Sequence, residues 1–119
     1  MSGKVTWFEV MGQDPVELQS FYSELFGWEL NAGPGWPDYG MIDPPEGGGG
    51  IAGGIGKTPV GTGWTTFYVD VDDLEAALAK ASSLGAEALL PPKPLPGGST
   101  IAQVKDPEGH VLGLVKAAA

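Results

Sequence analysis

The chain has 119 residues, 20 of them Gly and 11 Pro, with 42 % hydrophobic residues and a formal net charge of −9. Fifteen acids against six Lys and no Arg repel phosphate backbones and anionic membranes, which argues against a nucleic-acid or membrane partner. The absence of Cys excludes disulfides, thiolate metal sites and cysteine nucleophiles. No signal-like segment follows Met1, and no apolar run approaches the roughly 20 residues of a membrane span, so a cytoplasmic protein is expected. Four Trp, four Phe and three Tyr supply enough apolar surface for one folded domain over residues 1–119, with Gly and Pro gathered in loops.

In chain order, residues 4–11 alternate as a strand, with Val5, Phe8 and Val10 on apolar positions. Asp14 before Pro15 reads as an N-cap with Pro at the first helical position. Leu18, Phe21, Tyr22 and Leu25 then fall at i, i+3, i+4 and i+7, a core-facing stripe, and Gly27 closes the helix. Short strands are expected at 28–30, 38–42 and 51–55. The same grammar returns in the second half. A β-rich run over 64–71 leads to Asp72 and Asp73 as caps, then the stripe Leu74, Ala77, Leu78 and Ala81, and Gly85 as the stop. Strands are expected at 87–90, 100–105 and 111–115, with Pro91, Pro92, Pro94 and Pro96 as an extended connection. Each half is therefore β-α-β-β-β, with repeat units of approximately 1–58 and 59–119. Such a duplication predicts an α+β fold in which two tandem βαβββ units form one curved mixed sheet, with helices outside and a central cleft. The Gly-rich stretch 33–63 is expected to form a mobile flap across the cleft mouth with a strand inside it.

Two nucleotide-like patterns carry no such function. Gly48, Gly50 and Gly53 satisfy G-x-G-x-x-G but lead into a β-prone segment where the phosphate-binding form needs a helix. Gly56-Lys57-Thr58 lacks the earlier Gly of a phosphate loop, since position 51 is Ile51. His110, the single histidine, sits in the turn sequence Asp106-Pro107-Glu108-Gly109-His110, and since metal sites usually gather three or four of His, Cys, Asp or Glu, it reads as a turn residue. No Ser has a base beside it in a triad-like arrangement.

Three motifs in order carry a family resemblance: Asp14-Pro15 through Phe21-Tyr22 to Leu25-Phe26-Gly27-Trp28; Val71-Asp72-Asp73-Leu74; and Asp106-Pro107-Glu108-Gly109 before the last strand. Together they resemble the vicinal-oxygen-chelate superfamily of glyoxalase I, bleomycin-resistance proteins and extradiol dioxygenases, in particular glyoxalase-like proteins of high-GC bacteria. The resemblance implies metal ligands on the first and last strands of each half. Carried onto this chain, those positions hold Trp7, Thr66 and Gly113, and the fourth falls within 51–55, where no ligating side chain stands. No metal and no cofactor are therefore expected. The resemblance also implies a homodimer.

Strand alternation gives the cleft lining independently. If Phe8 and Val10 face the helix, Trp7 and Glu9 face the cleft; if Phe67, Val69 and Val71 face the other helix, Trp64, Thr66 and Tyr68 face the cleft. Ile101 and Gln103 join them, and Gly113 leaves space. Aromatic walls with one carboxylate suit a flat, hydrophobic or cationic small molecule. The expectation is a small-molecule-binding protein that sequesters an aromatic or cationic metabolite or drug. The alternative is a metal-independent lyase, isomerase or hydrolase in which Glu9, made more basic by desolvation among aromatic rings, acts as general base.

Overall fold

The computed structural model describes residues 3–33, 36–44 and 46–118. Pro34, Gly35 and Pro45, inside the expected flap, and the extreme chain ends lie outside the described residues. The elements run β1 (Val5–Gly12), α1 (Pro15–Phe26), β2 (Asn31–Gly33), β3 (Trp36–Ile42), β4 (Ala52–Lys57), β5 (Trp64–Asp70), α2 (Leu74–Ser83), β6 (Glu87–Pro94), β7 (Thr100–Lys105) and β8 (Val111–Lys116). This is the expected mixed α+β series, β-α-β-β-β twice over. The chain divides into two compact units: Trp7–Thr65, and a second unit of the residues up to Thr6 with those from Thr66 onward.

In Trp7–Thr65 the strands are ordered β2-β3-β4-β1, with β1 parallel to β4 and the other neighbours antiparallel. Helix α1 begins and ends as its sequence dictates. Asp14 is extended, its side chain accepts the Glu17 backbone N–H at 3.1 Å, and Pro15 follows where no intrahelical N–H is needed. Gly27 takes the left-handed conformation, φ 73, and donates its N–H to the Ser23 carbonyl. Leu18 and Tyr22 pack with Phe8, Trp28 and Leu30 on a core of Val10, Ile42 and Ile55.

Two expectations are corrected in this unit. Phe21 and Leu25 do not face the core but are 56 % and 58 % exposed. Beneath the helix, β4 reads Ala-Gly-Gly-Ile-Gly-Lys, so of its side chains only Ile55 joins that core, and the single i, i+4 row of Leu18 and Tyr22 covers it. The strand expected at 28–30 begins instead at Asn31. Trp28 turns its ring into the core, stacked on Tyr22 with centroids 5.9 Å apart, and the Ser23 hydroxyl donates to the Trp28 carbonyl. The Gly-rich stretch holds β3 and β4, where short strands are expected at 38–42 and 51–55, with turns and bends around 46–51 and 58–63.

The second unit repeats the topology as β6-β7-β8-β5, with β5 parallel to β8. Asp73 caps α2 by accepting the Ala76 N–H at 3.0 Å. The α2 face packs Leu74 and Ala77 on Val71, Ala102 and Leu114, with Val69 and Leu78 beside them. Phe67 shares the strand face of Val69 yet is 46 % exposed, because this core ends at Val69. The prolines expected as a connection instead extend β6 to Pro94. β6 lies at the edge of the sheet, where a missing N–H leaves no ladder bond unmade, and its register with β7 shifts twice between Ala88 and Lys93. The turn before β8 is built by Asp106, whose carboxylate accepts the Glu108 and His110 backbone N–H groups and lies 2.9 Å from His110 Nδ1. Among the described residues no helix is long and apolar enough to cross a membrane.

Candidate functional site

Within Trp7–Thr65, alternation along β1 sends Phe8 and Val10 to the α1 core and Trp7 and Glu9 to the opposite face. Glu9 is only 7 % exposed, a costly place for a carboxylate unless donors surround it. Donors do surround it. The Tyr39 hydroxyl donates to Glu9 Oε2 at 2.9 Å, and the Trp64 indole N–H donates to Glu9 Oε1 at 3.0 Å. The Tyr39 oxygen in turn accepts the Trp7 indole N–H at 3.0 Å. Trp7, Tyr39, Glu9 and Trp64 thus form one hydrogen-bonded chain of two indoles, a phenol and a carboxylate. Trp7, Tyr39 and Trp64 are partly exposed.

Tyr39 escaped the sequence reading, and the glycines of β4 explain how it fits. A Cβ on Gly54 would lie 2.1 Å from the Tyr39 ring and one on Gly56 2.5 Å from it, so these two glycines are the floor on which the ring lies. The signal was present in the sequence as a Tyr on β3 opposite a strand stripped of side chains. Asp38, just before it, holds φ 66, the one described non-Gly residue in the left-handed region, and its carbonyl accepts from the Gln19 side chain.

The other residues selected from the sequence, Thr66, Tyr68, Ile101, Gln103 and Gly113, lie in the second unit. Three of them, Tyr68, Gln103 and Gly113, are brought together. Gln103 Nε2 donates to the Tyr68 hydroxyl at 2.7 Å, and both side chains are buried. The Thr66 hydroxyl donates to the Val111 carbonyl. Gly113 pairs directly with Tyr68, and a Cβ there would lie 2.3 Å from the Tyr68 ring. The space expected at Gly113 is therefore filled by that ring. Ile101 is partly buried and lies two residues from Gln103 on β7, on the face opposite Ala102.

The positions at which the resemblance places metal ligands can be tested by their chemistry. Trp7 offers an indole N–H already given to Tyr39, Thr66 a hydroxyl given to a carbonyl, and Gly113 no side chain. None supplies an imidazole or carboxylate, the usual donors for such ions. Among the described residues no three of His, Cys, Asp and Glu cluster in a way that could hold a metal ion. The residues present do not fit the divalent site of the family's metal enzymes.

The model of the Glyoxalase/Bleomycin resistance protein/Dioxygenase superfamily matches residues 4–114. CFP32 of Mycobacterium bovis, described as a glyoxylase, is 27 % identical over 97 % of this chain, as is the Mycobacterium tuberculosis protein of the same name. The chain spans about half the length of these relatives, 46 % of each. Among solved structures, Streptomyces coelicolor methylmalonyl-CoA epimerase in complex with 2-nitronate-propionyl-CoA superimposes with TM-score 0.69, at 18 % identity and over the whole of both chains. The Mycobacterium tuberculosis methylmalonyl-CoA epimerase gives TM-score 0.66 at 14 % identity, over 98 % of this chain and 89 % of that one. At such identities the likeness is one of fold, and it matches the β-α-β-β-β pair found here. With its family model spanning nearly all of the chain and its fold shared with these structures, the protein belongs to the Glyoxalase/Bleomycin resistance protein/Dioxygenase superfamily.

Proposed function

We propose that the protein binds a small organic molecule without a metal, at the face of Trp7–Thr65 that carries Trp7, Glu9, Tyr39 and Trp64. The observation that carries this reading is the buried Glu9 carboxylate held between the Tyr39 hydroxyl and the Trp64 indole. Two indoles and a phenol around a carboxylate attract a flat body with a cationic or hydroxyl-bearing end, by stacking, cation–π attraction and a charge-assisted hydrogen bond. Because Glu9 is closed over by its donors, ligand entry parts the partly exposed indoles and substitutes a ligand donor for one of the internal ones. The second group, Thr66, Tyr68, Gln103 and Gly113, is neutral, with Gln103 donating to Tyr68 and Thr66 to the Val111 carbonyl, and we assign it to packing, with Ile101 beside it.

The acyl-CoA ligand in the structural neighbour is not carried over. A chain with six Lys, no Arg and a charge of −9 is poorly suited to a triphosphorylated carrier. Sequestration of an aromatic or cationic metabolite or drug, in a homodimeric cytoplasmic protein, is the form of binding we favour. The experiment is a tryptophan-fluorescence titration against planar cationic and phenolic compounds. A saturable change that disappears in Trp64→Phe is expected; no change with any compound contradicts the reading. An enzymatic reading rests on the same carboxylate: Glu9 as general base of a metal-independent lyase, isomerase or hydrolase predicts turnover that Glu9→Gln abolishes while binding persists.

A further inference from the structure

Helix α1 packs on its own unit with only part of its apolar surface. Leu18 and Tyr22 reach the core, no residue of the helix is fully buried, and Val16, Phe21 and Leu25 are 74 %, 56 % and 58 % exposed. Two parallel i, i+4 rows run along the outer face, Val16–Ser20–Glu24 and Glu17–Phe21–Leu25, with the small Ser20 as a gap between larger neighbours. The surface groove there is lined by Asp14, Val16, Glu17, Ser20, Phe21 and Glu24. Ridges beside a gap, at helical spacing, are the surface onto which another helix packs.

Charge states what that helix must be. The groove's three ionisable residues are all carboxylates, and Trp7–Thr65 carries eight acids against the single Lys57, whereas the rest of the chain carries seven against five Lys. Asp14 and Glu17 have a local reason, at the positive end of α1. Glu24 has none: it stands in the last turn, against the helix dipole, with no basic residue there, while α2 places Lys80 at the equivalent point. A second copy of this chain is the wrong occupant. A two-fold contact would lay one all-carboxylate groove on another, and a head-to-tail contact with the Lys-bearing unit is heterologous, giving a ring or an open filament in place of a two-fold dimer.

We infer that the outer face of α1 is a docking site for a basic amphipathic helix of a partner protein, with its apolar row on Val16, Phe21 and Leu25 and its Lys or Arg residues on Glu17 and Glu24. The probe is a fluorescently labelled peptide designed as such a helix, Leu on one face and Lys and Arg on the other, titrated into the full chain by anisotropy. We expect saturable binding that weakens with salt, and that Phe21→Ser, Val16→Ser and Glu24→Lys each weaken at least about tenfold. Glu75→Lys, the same charge change on α2, stays within about twofold if the site is local. Val16, the more exposed residue, keeps the test valid if Phe21→Ser fails to fold. Equal loss from Glu75→Lys and Glu24→Lys, equal binding of the peptide with Glu in place of its basic residues, or self-association in sedimentation that Phe21→Ser abolishes each overturns the proposal.

Discussion

Glu9 on β1 and Tyr68 on β5 occupy matching places in the two units. Each stands on the first strand of its β-α-β-β-β series, and each pairs in parallel with a glycine of the last, Gly54 and Gly113. Around Tyr68 the chain has placed a neutral amide, Gln103, and let the tyrosine ring cover its own glycine. Around Glu9 it has placed a charged acceptor under two aromatic donors, and the ring covering the glycine comes from another strand, as Tyr39. A neutral buried pair stabilises by about 1 kcal/mol and asks for no further explanation. A buried carboxylate costs more to desolvate than a well-packed apolar residue would, and on the proposed reading a bound ligand makes use of it. One backbone frame, repeated, thus holds a neutral buried pair in one unit and a buried carboxylate under aromatic donors in the other.

The comparison breaks first at the glycines. Gly54→Ala and Gly113→Ala each drive a Cβ into a tyrosine ring, and a loss of about 3 kcal/mol is expected in chemical denaturation. Combining Gly54→Ala with Tyr39→Ala should cost less than the two single changes summed, because the ring that clashes is gone. Next, Glu9→Gln replaces one of the two acceptor oxygens with an NH2 that faces either the Tyr39 hydroxyl or the Trp64 indole N–H, at about 2 kcal/mol, whereas Gln103→Leu in the second unit costs about 1 kcal/mol. Equal costs would erase the distinction between the two sites. Tyr39→Phe removes the hydroxyl between Trp7 and Glu9, at about 1 kcal/mol, with a change in tryptophan emission.

The smallest effect belongs to the turn before β8. The His110 backbone N–H holds the Asp106 carboxyl below its ordinary value against an opposing desolvation, with further lowering from the His110 side chain and the Glu108 N–H. The folded value lies below the unfolded one, so this contribution is complete above the ordinary carboxylate range and fades as pH falls through the folded value. Asp106→Asn should remove that part of the acid destabilisation in melts taken from about pH 5 downward. His110→Ala, which keeps the backbone N–H, should move the Asp106 titration seen by NMR only slightly.

Much of this was legible in the residues. Asp14-Pro15, Gly27 and Asp73 announce helix ends because caps are local, side chain to nearest backbone. Two-residue alternation put Glu9, Trp7 and Gln103 on the right strand faces because the pleat permits nothing else. What escaped depends on contacts between strands. Tyr39 matters only because β4 lies beside β3 with glycines in register, a pairing that no local pattern reports. Phe21 and Leu25 follow the helical period of a core stripe, yet how wide a stripe is covered depends on the strands below, and a glycine strand covers little. Pro91, Pro92 and Pro94 read as a connection because prolines rarely enter a sheet, and an edge strand is the exception.

The most direct test of a metal-free site built on Glu9 is calorimetric titration of the compound that best alters tryptophan emission, into wild type and Glu9→Gln, each with and without a strong chelator. The account predicts an unchanged Kd in chelator and a loss of at least about tenfold in Glu9→Gln, the size of one charge-assisted hydrogen bond. Binding that vanishes in chelator, or that survives Glu9→Gln undiminished, contradicts it.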